Sequence, residues 1–287
     1  MNPFLKIIRV EHWVKNIFVF FPLFFSKQLT TDSTLIYKGF FTFISFSLMA
    51  SAIYCFNDIR DLEFDKKHAQ KKNRPLANGT ILIKQVIYLL FFLVGSSLLF
   101  SYLLLPLEVL LVLVAYLILN ILYSTYLKNF LFVDLICIAL GFVLRISAGA
   151  ISTNTPLSTW IVFMVFFLAL FLATAKRRDE AILFSSKNYL VRKNITKYTP
   201  QITSLLLNSI AVIIIGAYLI YTTNSESMKN INYAYSTTLW VVLGITRYFI
   251  LIKKREEYAN PTKLLLKDRT LQLIITLWLV NFYVLLY

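Results

Sequence analysis

The sequence predicts an all-α fold, a polytopic membrane bundle of about nine transmembrane helices, and three observations predict it. Of 287 residues, 58% are hydrophobic, 16% aromatic and only 15% charged, too apolar a composition for a water-soluble globular domain. The apolar residues run in long stretches separated by charged islands, and about 20 such residues cross roughly 30 Å of hydrocarbon as a helix. Lys+Arg number 29 against 14 Asp+Glu, a net charge of +15, and the cations crowd into alternate connections, as they do in cytoplasmic loops beside anionic lipid or acidic substrates. Nucleic acid is disfavoured as a partner for a basic chain this apolar. The only cysteines, Cys55 and Cys137, sit in separate apolar runs, so neither a disulfide framework nor a thiolate metal site is indicated.

The first expected span, 10–25, is interrupted by Glu11, His12, Lys15 and Pro22; its alternative is an interfacial amphipathic helix with Trp13 at headgroup depth. Lys6, Arg9 and Lys15 lead into it with no small-residue cleavage site behind, so it reads as retained rather than as a signal peptide. Span 37–56 is continuous and runs into an acid-rich segment. Spans 85–105 and 107–123 adjoin. Span 131–150 opens near Asp134 and carries Arg145 within it, and span 157–175 runs into three consecutive cations. Spans 202–221, 235–252, which includes Arg247, and 271–287 complete the set.

Orientation follows from the cations. Lys6, Arg9 and Lys15 precede or enter the first span, and Arg60, Lys66, Lys67, Lys71, Lys72, Arg74 and Lys84 follow the second. Lys128 follows the fourth, and Lys176, Arg177, Arg178, Lys187, Arg192, Lys193 and Lys197 follow the sixth. Lys253, Lys254, Arg255, Lys263, Lys267 and Arg269 follow the eighth. The opposite face keeps only Lys27, Lys38 and Lys229. The N-terminus and long loops are therefore expected in the cytoplasm and, after nine spans, the C-terminus outside. The two richest loops lie four helices apart, which suggests one integral membrane domain over 1–287, with pseudo-repeats of roughly 1–125 and 126–252 and a final helix at 271–287. Repeat-built bundles tend to place their site at the repeat interface, so a transporter or lipid-binding protein stays open at this stage.

The chemistry concentrates in Asn57-Asp58-Ile59-Arg60-Asp61-Leu62-Glu63-Phe64-Asp65. If the helix continues through it, about 100° per residue puts Asp58, Asp61 and Asp65 within an arc of roughly 60°, with Asn57 at its edge. Clustered carboxylates repel, and a hard cation relieves that. Mg²⁺ binds through one or two carboxylates plus substrate phosphates, so the pattern calls for a phosphorylated ligand; a solvated helix end is the bland alternative. Behind it, Arg74 could fork onto phosphate oxygens, whereas Lys66 and Lys67 read as topology anchors. Lys176, Arg177 and Arg178, beside Asp179 and Glu180, fit a second phosphate cluster or anchors equally. An intramembrane Arg145 points to function, its alternative being an ion pair to Asp134 or a neighbouring helix end. His12 and His68 suggest neither a zinc site nor a triad. There is no glycine-rich phosphate loop; Gly141 and Gly149 suit close helix packing.

Asn57-Asp58-x-x-Asp61-x-x-x-Asp65 after the second span, with Arg74-Pro75-Leu76 behind it, resembles the UbiA superfamily of membrane prenyltransferases over nearly the whole chain. The resemblance implies a nine-helix bundle around a central cavity, Mg²⁺ on the aspartates and lateral access for a polyprenyl chain. Arg9-x-x-His12-Trp13-Val14-Lys15-Asn16, Tyr123-Ser124-x-x-x-Lys128, Gly141-Phe142-Val143-Leu144-Arg145 and Leu266-x-Asp268-Arg269-x-Leu271-Gln272 look like the decaprenyl-phosphate phosphoribosyltransferase branch. One departure separates the branches: where aromatic prenyltransferases carry a second aspartate-rich motif, 176–180 offers one Asp-Glu pair behind three cations. That suits phosphoribosyl diphosphate as donor and a lipid phosphate as acceptor better than an allylic diphosphate with an aromatic acceptor. On this reading Asn57, Asp58, Asp61 and Asp65 hold Mg²⁺. Arg74, Lys128 and Lys176 to Arg178 hold phosphates, Lys15 or Arg145 orients the polyprenyl phosphate, and Asn16 and Tyr123 join the substrate-binding set. The protein is expected in the cell membrane, and an oligomer is compatible with the sequence.

Overall fold

The structure, a computed structural model, describes residues 2–28, 32–68, 71–187, 195–225, 228, 231, 233–254 and 261–286. Arg192, Lys193, Lys229 and Arg255, used above for orientation, lie outside the described residues, as does Tyr287 at the end of the last expected span. Among the described residues all regular structure is helical, as hydrocarbon demands, because a helix pairs its backbone polar groups within one segment. Eight helices are long and apolar enough to cross a membrane: α1 (Ser33–Arg60), α2 (Ile83–Leu104), α3 (Leu107–Thr125), α4 (Val133–Ser152), α5 (Thr159–Lys187), α6 (Pro200–Asn224), α7 (Thr237–Lys254) and α8 (Arg269–Leu286).

The first expected span, 10–25, is not one helix but a 3₁₀ helix over Val10–Phe20 followed by a short helix, Phe21–Phe25, and a further short helix, Pro3–Ile8, precedes it. Arg9, in the left-handed region at φ 52°, makes the first break. An eleven-residue 3₁₀ run is uncommon, and its partners supply a reason. Trp13 donates to the Ser51 hydroxyl at 3.0 Å and Asn16 to the Ser47 hydroxyl at 2.9 Å. Three residues of a 3₁₀ helix and four of an α-helix both rise about 6 Å, so the two ladders stay in register. On the other flank the Val19 carbonyl oxygen lies 1.9 Å from where a Cβ on Gly149 would be. Only glycine lets α4 approach that backbone.

The chain divides into two compact units, Met1–Leu127 with Gly141–Leu157, and Lys128–Leu140 with Ser158–Tyr287. The first unit is built on α1, which is inner to it: 61% of its most apolar window is buried, against 22% for α2 and for α3. Small residues let α2 come close, and Ser97 donates to the Ser45 carbonyl at 2.7 Å. Phe46, Met49, Ile53, Val109, Leu113 and Tyr116 form one core there, and Ile7, Ala52, Leu62, Leu76, Ile81 and Val86 another.

In the second unit, Phe171, Leu207, Ile210, Ile214, Ile245 and Tyr248 pack α5, α6 and α7 together. The Tyr218 hydroxyl donates to Thr237 at 3.0 Å and accepts from Trp278 at 2.8 Å, tying α6, α7 and α8. Asp268 caps α8 by accepting from Leu271 N at 2.7 Å, and it receives both Nη2 (2.7 Å) and Nε (3.1 Å) of Arg247. That Arg247 fork, ahead of the cap, holds the Asp268 carboxyl below the usual range. One of the four secondary motifs thus builds structure directly, the 266–272 motif capping and clamping α8, and Gly149, just past the Gly141–Arg145 motif, seats the 3₁₀ helix.

Candidate active site

The acid-rich segment stands where α1 ends. α1 stops at Arg60, and a short helix, Leu62–Lys67, restarts after Asp61. Bonds from Asp61 N to Asn57 O (2.9 Å) and from Asp65 N to Asp61 O (2.8 Å) carry the helical spacing across that break. The expected common face therefore survives in part. Asp58 and Asp65 are both buried and converge on one guanidinium: Arg74 Nη1 reaches Asp58 Oδ1 at 3.1 Å and also donates to Asp65 Oδ2. Asp61, half-buried, lies within electrostatic reach of Asp58. A second cation, Arg9, pairs with the same Asp58 oxygen while its guanidinium sits 4.7 Å over the Tyr54 ring.

Neighbouring helices brace this end. The Asn57 side-chain oxygen accepts from the Ser124 hydroxyl, and Arg60 donates to the Thr125 carbonyl at 2.9 Å. Tyr123, half-buried, stands beside Ser124 on the last turn of α3. Glu63 points away and pairs with Lys66 at 2.8 Å. Burial, reinforced by Lys71, keeps His68 below the ordinary histidine range.

Among the described residues no three His, Cys, Asp or Glu side chains form a metal-sized group. Mg²⁺ needs only one or two carboxylates when phosphates complete its shell, and one observation fits it here: Asp65 Oδ1 is buried without a hydrogen-bond partner. A buried carboxylate oxygen left over is costly unless something binds it. Asp58 and Asp65 are the residues that could hold a divalent ion, with Asp61 and Asn57 adjacent.

Deeper in the first unit lies a second cationic group. Arg145, buried, donates to Asn16 Oδ1 (2.7 Å), the Gly141 carbonyl (2.7 Å) and the Tyr116 hydroxyl (2.6 Å), with the rings of Tyr116 and Phe142 about its guanidinium. All of these partners are neutral. Lys15, half-buried, lies within electrostatic reach of Arg145. Asp134, weighed above as the partner of Arg145, is engaged elsewhere.

In the second unit, Arg177 donates to Asp134 Oδ2 and Glu180 Oε2, both at 2.7 Å. Tyr198 donates to the other Asp134 oxygen. Burial and that donation raise the Tyr198 phenol above its usual range, which keeps the proton on it. The three consecutive cations therefore part company. Lys176 is exposed, Arg178 leans on Ser204 at 2.9 Å and Asp179 at 3.5 Å, and Arg177 is 3% exposed inside a sealed network. Lys128 sits half-buried in the turn Leu127–Asn129.

Sequence reasoning gave Arg9, Ser124, Tyr116 and Tyr54 no individual role. Arg9 stood in a quoted motif without a partner. The inward turn of Arg177 had a signal: Ala173 and Ala181 flank it at four-residue spacing, a small-residue stripe that buries, while Lys176 falls off that stripe.

The sequence matches the UbiA prenyltransferase family over residues 17–281. It is 29% identical over 278 residues to a decaprenyl-phosphate phosphoribosyltransferase of Mycobacterium tuberculosis, covering 96% of this chain and 91% of that one. A decaprenyl-phosphate phosphoribosyltransferase of Corynebacterium glutamicum is 27% identical, covering 96% and 83%. The fold resembles that of a UbiA homolog from Archaeoglobus fulgidus bound to GPP and Mg²⁺, with a TM-score of 0.74, 15% identity and 99% of each chain covered.

Proposed function

We propose, from the premise that this chain belongs to the UbiA prenyltransferase family and is an integral membrane transferase, that it moves a 5-phosphoribosyl group from phosphoribosyl diphosphate to a polyprenyl phosphate such as decaprenyl phosphate. Membership replaces the transporter alternative. The observation that carries the acceptor is Arg145: a buried guanidinium whose described hydrogen-bond partners are all neutral, beside Lys15. A buried charge needs a counter-charge, and a lipid phosphate supplies one with the paired oxygens onto which a guanidinium forks. The names of the relatives support the same acceptor and the same transferred group.

In the reaction the anomeric carbon–oxygen bond to diphosphate breaks, the leaving group keeps the electron pair, and a lipid phosphate oxygen bonds to that carbon. When bound, Mg²⁺ would neutralise charge building on the departing diphosphate. Asp58 and Asp65, with Asp61 and Asn57 beside them, would hold it. Arg74 and Arg9 offer forks for phosphate oxygens, and Asn16 fixes the Arg145 plane that meets the acceptor. Tyr123 flanks the Asn57–Ser124 contact. Lys128, Lys176 and Arg178 are the second unit's candidates for phosphate, while Arg177 orders its cluster from within. The acceptor is already an anion, so no general base is required. The cation-rich loops support a cytoplasmic position for the acidic end of α1.

A second reading, a prenyltransferase joining an allylic diphosphate to an aromatic acceptor, draws on the GPP-bound fold neighbour. A donor panel on purified protein decides between them. Phosphoribosyl diphosphate with labelled polyprenyl phosphate should give a phosphoribosyl lipid. Product from prenyl diphosphates and aromatic acids alone would reverse the ranking.

A further inference from the structure

Resting on that reading of the acidic site, we infer that Arg74 is an exchangeable internal counter-cation. Its guanidinium fills the gap between Asp58 and Asp65 until donor diphosphate draws it away, so the metal position opens together with donor binding.

One nitrogen carries the bridge: Arg74 Nη1 serves Asp58 Oδ1 and Asp65 Oδ2 at once, spanning the carboxylates as a metal ion would. The bridge is incomplete, because Asp65 Oδ1 remains buried without a partner, an oxygen that a six-coordinate hard cation would use. Arg74 is also the member with a way out. Its side chain is 30% exposed, against 3% for Asp58 and 2% for Asp65. The backbone beneath it is fixed by buried Leu76 and Ile81, by Ile81 N to Pro75 O (3.1 Å) and by Asn78 N to Arg74 O (2.9 Å), so a side-chain swing suffices. Arg9 differs: among the described residues its ion pair is with Asp58, and it stacks on Tyr54, a cation built to stay.

Guanidinium prefers the two-pronged geometry that a phosphate offers. Arriving diphosphate therefore gives Arg74 a better partner and leaves the two carboxylates for the ion. Metal and diphosphate then favour each other's binding by the same factor.

The test is Mn²⁺ binding to the full-length protein in detergent, read by electron paramagnetic resonance without any substrate. Arg74→Gln should bind Mn²⁺ about tenfold more tightly than wild type, inside the roughly 5–150-fold range of ordinary coupling. Lys72→Gln, which removes an exposed charge from the same loop, should change affinity less than about twofold because water and salt screen it. Equal affinity in wild type and Arg74→Gln, or equal tightening by Lys72→Gln, overturns the exchange while leaving the transferase reading intact. Should Arg74→Gln not fold, Arg74→Lys decides the same question: tighter Mn²⁺ binding supports the exchange and unchanged binding rejects it. If no form binds Mn²⁺, even with inorganic pyrophosphate added, the metal assignment itself fails and takes this inference with it.

Discussion

Two charged clusters, one in each unit, use the same residue types to opposite ends. At the end of α1, Asp58 and Asp65 face Arg9 and Arg74, with one carboxylate oxygen unclaimed and both arginine side chains partly exposed, Arg74 the more so. In the second unit, Asp134 and Glu180 enclose Arg177, Tyr198 seals the remaining Asp134 oxygen, and all four side chains are buried. A half-satisfied, half-open cluster can trade partners with a ligand; a sealed one holds helices in place. Burial and satisfied hydrogen bonds, rather than charge, separate site from scaffold.

Four substitutions sharpen or break that contrast. The largest effect belongs to the open cluster: Asp65→Asn should cost about 10²–10³-fold in diphosphate release, the scale of removing one group that stabilises developing charge, while thermal unfolding in detergent barely moves. Retained turnover at saturating Mg²⁺ would count against it. Arg177→Gln should do the reverse, destabilising by about 3–5 kcal/mol because two buried acids lose their shared cation. A chemical denaturation midpoint unchanged from wild type would show the cluster is not sealed. Gly149→Ala should cost about 1–3 kcal/mol, the usual range for overpacking, because its Cβ meets the Val19 carbonyl. It should also raise KM for the lipid acceptor, since Asn16 holds Arg145 from that same 3₁₀ helix. The smallest effect is at Asp268. Its depressed carboxyl pKa means the Arg247 pair adds stability above about pH 4, the unfolded value, and loses it as pH falls through the lower folded value. Asp268→Asn should flatten that acid limb of the melting curve and, the pair being only half-buried, change stability at neutral pH less than Arg177→Gln and Gly149→Ala do.

The contrast also marks what sequence could show. Eight of the expected spans are helices, because uninterrupted apolar stretches leave the backbone no other way to pair in lipid. Their ends were less legible: α1 runs from Ser33 to Arg60, well beyond the expected 37–56, since polar ends continue a helix that composition alone would stop. The first expected span took a 3₁₀ form because its register depends on partners, Ser47, Ser51 and Gly149, that lie far along the chain. The acidic motif was visible as spacing, but the partners that neutralise it were not. Arg9 is 49 residues from Asp58 and Arg74 is 16 from it, separations no helical periodicity reports. Likewise Lys176, Arg177 and Arg178 are one run of charge in sequence and three different environments in space, set by the rotation of α5.

In the proposed reaction the carboxylates ending α1 hold a divalent ion that stabilises a departing diphosphate. The most direct measurement is mass spectrometry of lipid products formed by the purified protein from phosphoribosyl diphosphate and polyprenyl phosphate, with Mg²⁺ and with a chelator in its place. A phosphoribosyl lipid should form with Mg²⁺, vanish with the chelator and return when Mg²⁺ is restored. The same product in undiminished yield with the metal stripped away would contradict the account.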